Sequence, residues 1–190
     1  MTKAIFFDVD GTLVSFKTHT MSPATLQALH TLREKGILLF LSTGRHQAML
    51  DYVRDLFPFD GYVTLSGQYC YAGDQVLHSN PMPPRRWRSW SPPWRTEDFL
   101  VSFGGHRHLY QWVDDMASQF IKDLNIPTPP IRPARYALGH QVYQAVTFLD
   151  REHEGQLLDR APHLLTTRWH PNFLDVIPPT GGKDKGLEAV

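Results

Sequence analysis

The chain lacks several features that would settle its class quickly. It has a single cysteine, Cys70, so no intrachain disulfide can form and a reducing compartment is expected. Neither charge is in excess: 19 Lys and Arg stand against 19 Asp and Glu, which removes the bulk field on which nucleic-acid or membrane-surface binding relies. No apolar run approaches the roughly 18 residues of a membrane span, and the N-terminus enters a strand-like run at once rather than a leader. There is no internal repeat. These absences predict a cytoplasmic protein with no nucleic-acid and no membrane partner. What is present is 190 residues at 42% hydrophobic content, enough for one core or for a core with an inserted second unit.

The most informative stretch is Phe6-Phe7-Asp8-Val9-Asp10-Gly11-Thr12-Leu13. An apolar run bounded by a turn signal predicts a buried strand, with Asp8 at its C-terminal end, the edge at which open α/β sheets bind ligands. Alternation along a strand projects Asp8 and Asp10 to one side while Val9 packs away. Two acids this close repel when both are ionised, unless a cation or a shared proton relieves them, and a hard oxygen-seeking ion such as Mg2+ does so naturally. One Asp can then attack phosphorus while the other handles protons.

Ser22-Pro23 followed by leucines at three-residue spacing predicts a helix, stopped at Lys35-Gly36. The spacing continues with a strand over Ile37–Leu41, a helix over Gln47–Leu56 and a strand over Gly61–Leu65. Strand, helix, strand, helix, strand with short loops predicts a Rossmann-like, parallel, doubly wound α/β sheet. The loop Ser42-Thr43-Gly44-Arg45 then opens on the same edge as Asp8. It offers a hydroxyl, a backbone amide freed by glycine and a guanidinium, which together suit an anion. By itself the same loop is an ordinary helix start, and Ser42 a strand-end hydroxyl bonded to the backbone.

Asp8-Val9-Asp10-Gly11-Thr12 resembles the first motif of the haloacid dehalogenase-like phosphohydrolases, and Thr43-Gly44-Arg45 resembles the second motif of their Cof-type sugar-phosphatase branch. The resemblance implies that Asp8 is the nucleophile that becomes an aspartyl-phosphate and that Asp10 is the general acid/base. It further implies Mg2+ on the Asp8 carboxylate and the Asp10 carbonyl, with Thr43, Gly44 and Arg45 around the phosphoryl group or substrate. Ser66-Gly67 resembles the family's Asn-Gly segment, with Ser in place of Asn, and leads into a hairpin strand at Tyr69–Tyr71. Cys70 there is expected to be inert.

The segment Pro81–Arg95 holds five Pro, three Trp and four Arg and fits no helical or strand period. It can be read as an exposed linker, as a basic-aromatic patch without a matching basic surface elsewhere, or as a helix replaced through a shifted reading frame. Beyond it the pattern predicts a strand at Phe99–Phe103, a helix at Met116–Leu124, a strand at Gln141–Leu149 and a strand pair at Leu164–Trp169 and Phe173–Ile177. Together these resemble a type IIB α+β cap. The expected division is residues 1–79 with 181–190 as core and 80–180 as cap. His106, His108, His140, His153, His163 and His170 lack close metal-ligand spacing and read as surface or turn histidines.

Near the end, Gly181-Gly182-Lys183-Asp184-Lys185-Gly186 resembles the third motif, which implies a lysine facing the nucleophile. Lys183 is preferred because Leu187 and Val190 follow at +4 and +7, a spacing that buries one helix face; Lys185 is the reserve. The acids of a fourth motif are not found, so the resemblance implies a chain truncated before them. The implied activity is Mg2+-dependent hydrolysis of a small phosphorylated metabolite. The alternative is a catalytically impaired phosphosugar-binding or vestigial protein.

Overall fold

The computed structural model describes residues 3–83, 100–104, 109–111, 115–123, 139–160 and 162–190. Most of the Pro81–Arg95 segment, together with Phe99, His106, His108 and Leu124, lies outside these residues. The chain divides into two units. One takes in the chain up to Ser79 with Gly182–Val190, and the other most of the chain from Asn80 to Gly181.

In the first unit, β1 (Lys3–Phe7), β2 (Ile37–Ser42) and β3 (Gly61–Thr64) run parallel, and β4 (Tyr69–Ala72) and β5 (Gln75–Ser79) add an antiparallel hairpin, in the order β1-β2-β3-β4-β5. The register Phe7↔Leu41 and Ser42↔Val63 brings the C-terminal ends of the three parallel strands to one edge. Helix α1 (Pro23–Glu34) starts as the sequence dictates. The Ser22 hydroxyl accepts from the Thr25 amide at 3.1 Å and Pro23 opens the first turn. It stops at Gly36, whose φ of 72° is left-handed. Leu29, Leu39, Leu41, Val53 and Phe57 form the centre of the core.

Three local expectations need correction. The helix expected over Gln47–Leu56 is broken into a 3-10 turn at Gln47–Met49 and α2 (Asp51–Leu56). His46 caps the 3-10 turn by accepting the Ala48 amide on its buried ring nitrogen, and Leu50, at φ -110° and ψ 0°, leaves helical geometry between that turn and α2. The third strand ends at Thr64, because Leu65 and Ser66 adopt positive φ and turn the chain away. Strand β1 is half-buried rather than buried, since it forms the edge of its sheet.

The second unit contains β6 (Leu100–Gly104), β7 (Leu109–Gln111), α3 (Asp115–Asp123), β8 (Gln144–Phe148), α4 (Glu154–Arg160), β9 (Leu165–His170) and β10 (Phe173–Ile177). Its strands form an antiparallel sheet ordered β7-β6-β8-β10-β9. Strand β8 starts three residues later than the sequence pattern places it. Ala145 pairs with Val176, and with Leu174 both join Met82, Val142, Leu149, Leu157 and Leu164 in a buried cluster. Arg168 ties one end of the sheet together. It donates to the Glu154 carboxylate and to the carbonyls of Leu149, Asp150, His170, Pro171 and Phe173. The remaining chain, Lys183–Glu188, forms α5 in the first unit. Among the described residues no helix is long and apolar enough to cross a membrane.

Candidate active site

The site is built where β1 runs out. Immediately after Phe7 the chain closes a tight turn over one carbonyl: Val9 O accepts the amides of Thr12, Leu13 and Val14, at 3.4, 3.1 and 2.9 Å. Gly11 makes the turn possible with a φ of 74°, a conformation that a side chain disfavours. Val9 is fully buried, so Asp8 and Asp10 on either side of it are left at the sheet edge.

Each acid has its own cation. The Lys183 ammonium donates to Asp8 Oδ1 at 2.6 Å, in a pair whose side chains are 43% and 40% exposed. Arg45 grips Asp10 through two parallel bonds, Nε to Oδ2 at 2.8 Å and Nη2 to Oδ1 at 2.7 Å, and its side chain is only 5% exposed. This fork-to-fork geometry fixes the carboxylate plane as well as its charge. Burial works against the Arg45 charge, but the hydrogen bond and attraction of Asp10, helped by Tyr52 and Asp8, outweigh it and raise its pKa above the usual guanidinium value. The guanidinium also lies 5.5 Å from the Tyr52 ring centre. Burial raises the Tyr52 phenol, against a lowering by Arg45 and with a smaller raise from Asp10.

Thr43 and Gly44 complete the second loop. Thr43 is buried, its amide donates to Val63 O and its hydroxyl oxygen accepts the Arg45 amide at 3.1 Å; Gly44 is half-buried. Thr43 O in turn accepts the Ser66 amide, which stitches the β2 loop to the turn after β3. The Ser42 hydroxyl is buried and has no hydrogen-bond partner, so the backbone bond expected of it is not made.

Lys183 reaches Asp8 because three glycines let α5 lie against the turn Leu65–Gly67. A Cβ on Gly67 would stand 2.1 Å from Gly182 O, and one on Gly186 would stand 2.6 Å from the Gly67 Cα. Gly67 and Gly182 also have left-handed φ values of 88° and 142°. The apolar register used to prefer Lys183 is not the reason for its placement. Leu187 and Val190 are exposed, at 36% and 40%, and Gly186 is the buried contact. Lys185 turns elsewhere, to Glu188 at 2.9 Å and Asp184 at 3.9 Å. The pairing of Arg45 with Asp10 had no local signal, since the two are 35 residues apart. The glycine packing left one: Gly67, Gly182 and Gly186 stand beside the very motifs they join.

Cys70 lies behind this contact. Its Sγ is 3.7 Å from both Gly67 O and Gly186 O, and burial pushes the thiol up to about 12 from its ordinary 9.0. Native protein is therefore expected to leave Cys70 unmodified by a thiol reagent at pH 8, and to react fully once unfolded. The neutral thiol's share of stability is complete below the ordinary thiol value and is lost as pH rises through about 12. Rapid labelling of native protein would show that the α5 contact opens.

For a divalent ion, Asp8 offers hard oxygen chemistry, with Oδ2 left over beside the Lys183 bond, whereas both Asp10 carboxylate oxygens already serve Arg45. Among the described residues no group of three or more His, Cys, Asp or Glu side chains gathers into a metal cluster. His153 instead pairs with Asp150 at 2.6 Å, and the His170 ring stacks on Phe173.

Parallel strands that present paired acids at their C-terminal edge, each matched to a cation, place the chain in the α/β class. The chain belongs to one family of that class, the haloacid dehalogenase-like hydrolases, which it matches over residues 5–190. A solved subclass IIB sugar phosphatase of the family, BT4131, superposes with a TM-score of 0.90 at 30% identity, covering 99% of this chain and 74% of that one. A Bacillus subtilis protein named as a phosphatase, YkrA, is 22% identical over 99% of this chain and 73% of its own length. A Streptococcus pyogenes protein named as a bifunctional phosphatase and peptidyl-prolyl cis-trans isomerase is 29% identical, and this chain spans 40% of it. The family, the α/β fold and the phosphatase class expected from the sequence all hold.

Proposed function

We propose that the chain carries the phosphoryl chemistry of a Mg2+-dependent phosphatase acting on a small phosphate monoester, a sugar phosphate above all, through an aspartyl-phosphate on Asp8. The observation that carries this reading is the Asp8–Lys183 pair at 2.6 Å beside the Asp10–Arg45 clamp. Its support from relatives is the sugar-phosphatase description of the 30%-identical structure.

In this reading an Asp8 oxygen attacks phosphorus and the ester oxygen departs, taking a proton from Asp10. Asp10 then removes a proton from the water that cleaves the acyl phosphate. Lys183 offsets charge on the equatorial oxygens as the phosphoryl group moves. Arg45 holds Asp10 in position but does not exhaust it, because the second lone pair of a carboxylate oxygen can carry the proton that Asp10 passes to the leaving oxygen and later takes from water. Thr43 accepts the Arg45 amide and keeps its own O–H to donate. Mg2+ would be held by Asp8 with the Asp10 carbonyl, supplying positive charge next to the phosphoryl oxygens.

The test is release of inorganic phosphate from p-nitrophenyl phosphate and a panel of hexose phosphates, with Mg2+ and with excess chelator. Turnover that disappears with the chelator and returns with Mg2+ is expected. Equal background rates in both conditions would overturn the reading for this chain.

A further inference from the structure

One large apolar side chain beside the site has no part in the core. Phe16 is 58% exposed, although isolated aromatic rings are normally well covered in a folded chain. It sits on the loop that follows the Asp10 turn, and its ring lies against Gly11: a Cβ there would stand 2.9 Å from Phe16 Cε2. The ring thus covers the α-carbon of the residue next to Asp10.

The loop that carries Phe16 is a built structure. Its entry is fixed by the Gly11 amide, which donates to Val14 O at 2.9 Å, and by a parallel bridge between Asp10 and Val14. Val14 and Leu13 are buried and anchor it from below. Ser15 then closes it: the Ser15 amide donates to Thr20 O, Ser15 O accepts the His19 amide at 2.9 Å, and Ser15 Oγ accepts the Lys17 amide at 3.1 Å. Phe16 is therefore presented from a hydrogen-bonded turn, with its ring kept at Gly11.

Asp10 is where a leaving group would receive its proton, and Gly11, against which the Phe16 ring lies, is the next residue along the chain. We propose that Phe16 is a substrate-contacting residue that selects the leaving group. Its ring offers a flat apolar surface to esters whose carbon skeleton has an apolar or aromatic face next to the phosphate. Phosphates carried on very small or wholly polar groups gain nothing from it. This rests on the phosphatase reading for the position of the leaving group.

The experiment separates the two ideas by measuring binding as well as turnover. Calorimetric titration with phenylphosphonate and methylphosphonate, neither of which can be hydrolysed, gives the preference for an aromatic group without any catalytic step. The protein is expected to bind phenylphosphonate about tenfold tighter, Phe16→Ala to lose that preference, and Phe16→Tyr to keep it. In parallel, Phe16→Ala should raise KM for p-nitrophenyl phosphate about tenfold with kcat nearly unchanged, while glycerol 2-phosphate kinetics stay within about twofold. A preference for phenylphosphonate that survives in Phe16→Ala overturns the proposal, as does equal loss for both phosphonates or failure of the protein to bind either. If turnover is absent but the phosphonate preference depends on Phe16, the contact stands and the catalytic reading falls.

Discussion

Asp8→Asn is expected to lower phosphate release from p-nitrophenyl phosphate by at least about a thousandfold while leaving the fold in place. The two side chains have the same shape, so under the proposed function the change exchanges an anionic oxygen nucleophile for an amide that attacks phosphorus poorly. The same exchange removes the counter-ion of Lys183, but both members of that pair are about two-fifths exposed. Water screens such a pair, and its loss should cost no more than about 1 kcal/mol of stability. Activity and stability therefore respond very differently. Steady-state rates and a urea transition measured on the same preparation check both at once. An Asp8→Asn protein that keeps its rate would remove Asp8 from the nucleophile's role. A protein that loses its rate and unfolds would show that Asp8 holds the fold together instead.

The second large effect is expected at a residue with no side chain. Gly67→Ala should destabilise the first unit by about 2–4 kcal/mol, because small-to-large changes against fixed backbone are poorly relieved and a left-handed φ adds strain. The added methyl group would stand 2.1 Å from Gly182 O and 3.1 Å from the Lys183 Cα. Both are main-chain atoms, so no rotamer change can clear them. Helix α5 has to move, and Lys183 with it, so activity should fall even in the fraction that remains folded. Gly73→Ala is the control. Gly73 shares a left-handed φ, of 53°, but nothing lies within 4 Å of an added Cβ. It should cost only about 1 kcal/mol and leave the rate alone. Equal losses in the two variants would mean that backbone strain, not the α5 contact, accounts for the effect at Gly67.

Much of this protein was legible in residue order because the signals are local. The Ser22-Pro23 start and Gly36 stop of α1 involve only neighbouring residues. Val9 is buried and leaves Asp8 and Asp10 at the edge as the alternation predicted, but in the tight turn that follows β1 rather than along a continuing strand. The strand pair around His170-Pro171-Asn172 is read from its turn and appears as β9 and β10. Lys183 was preferred over Lys185 for an apolar register, whereas in the structure Lys183 lies on Asp8 for a different packing reason. Leu187 and Val190 stay in solvent, and glycines rather than apolar side chains dock the helix.

What the sequence alone determined is therefore the chemistry available at one strand end: two acids, a Thr-Gly-Arg loop on the same edge, and a lysine waiting at a helix start. Only the tertiary structure decided which cation meets which acid. Arg45, expected beside the phosphoryl group, is turned to Asp10 in a buried two-bond clamp, and Lys183 takes Asp8. The physical reason is distance along the chain. Partners 35 and 175 residues apart leave no periodic trace, because side-chain direction and close backbone approach are set by packing. Periodicity reports which face of an element is buried, and it carries no information about the backbone that a glycine allows to come within reach.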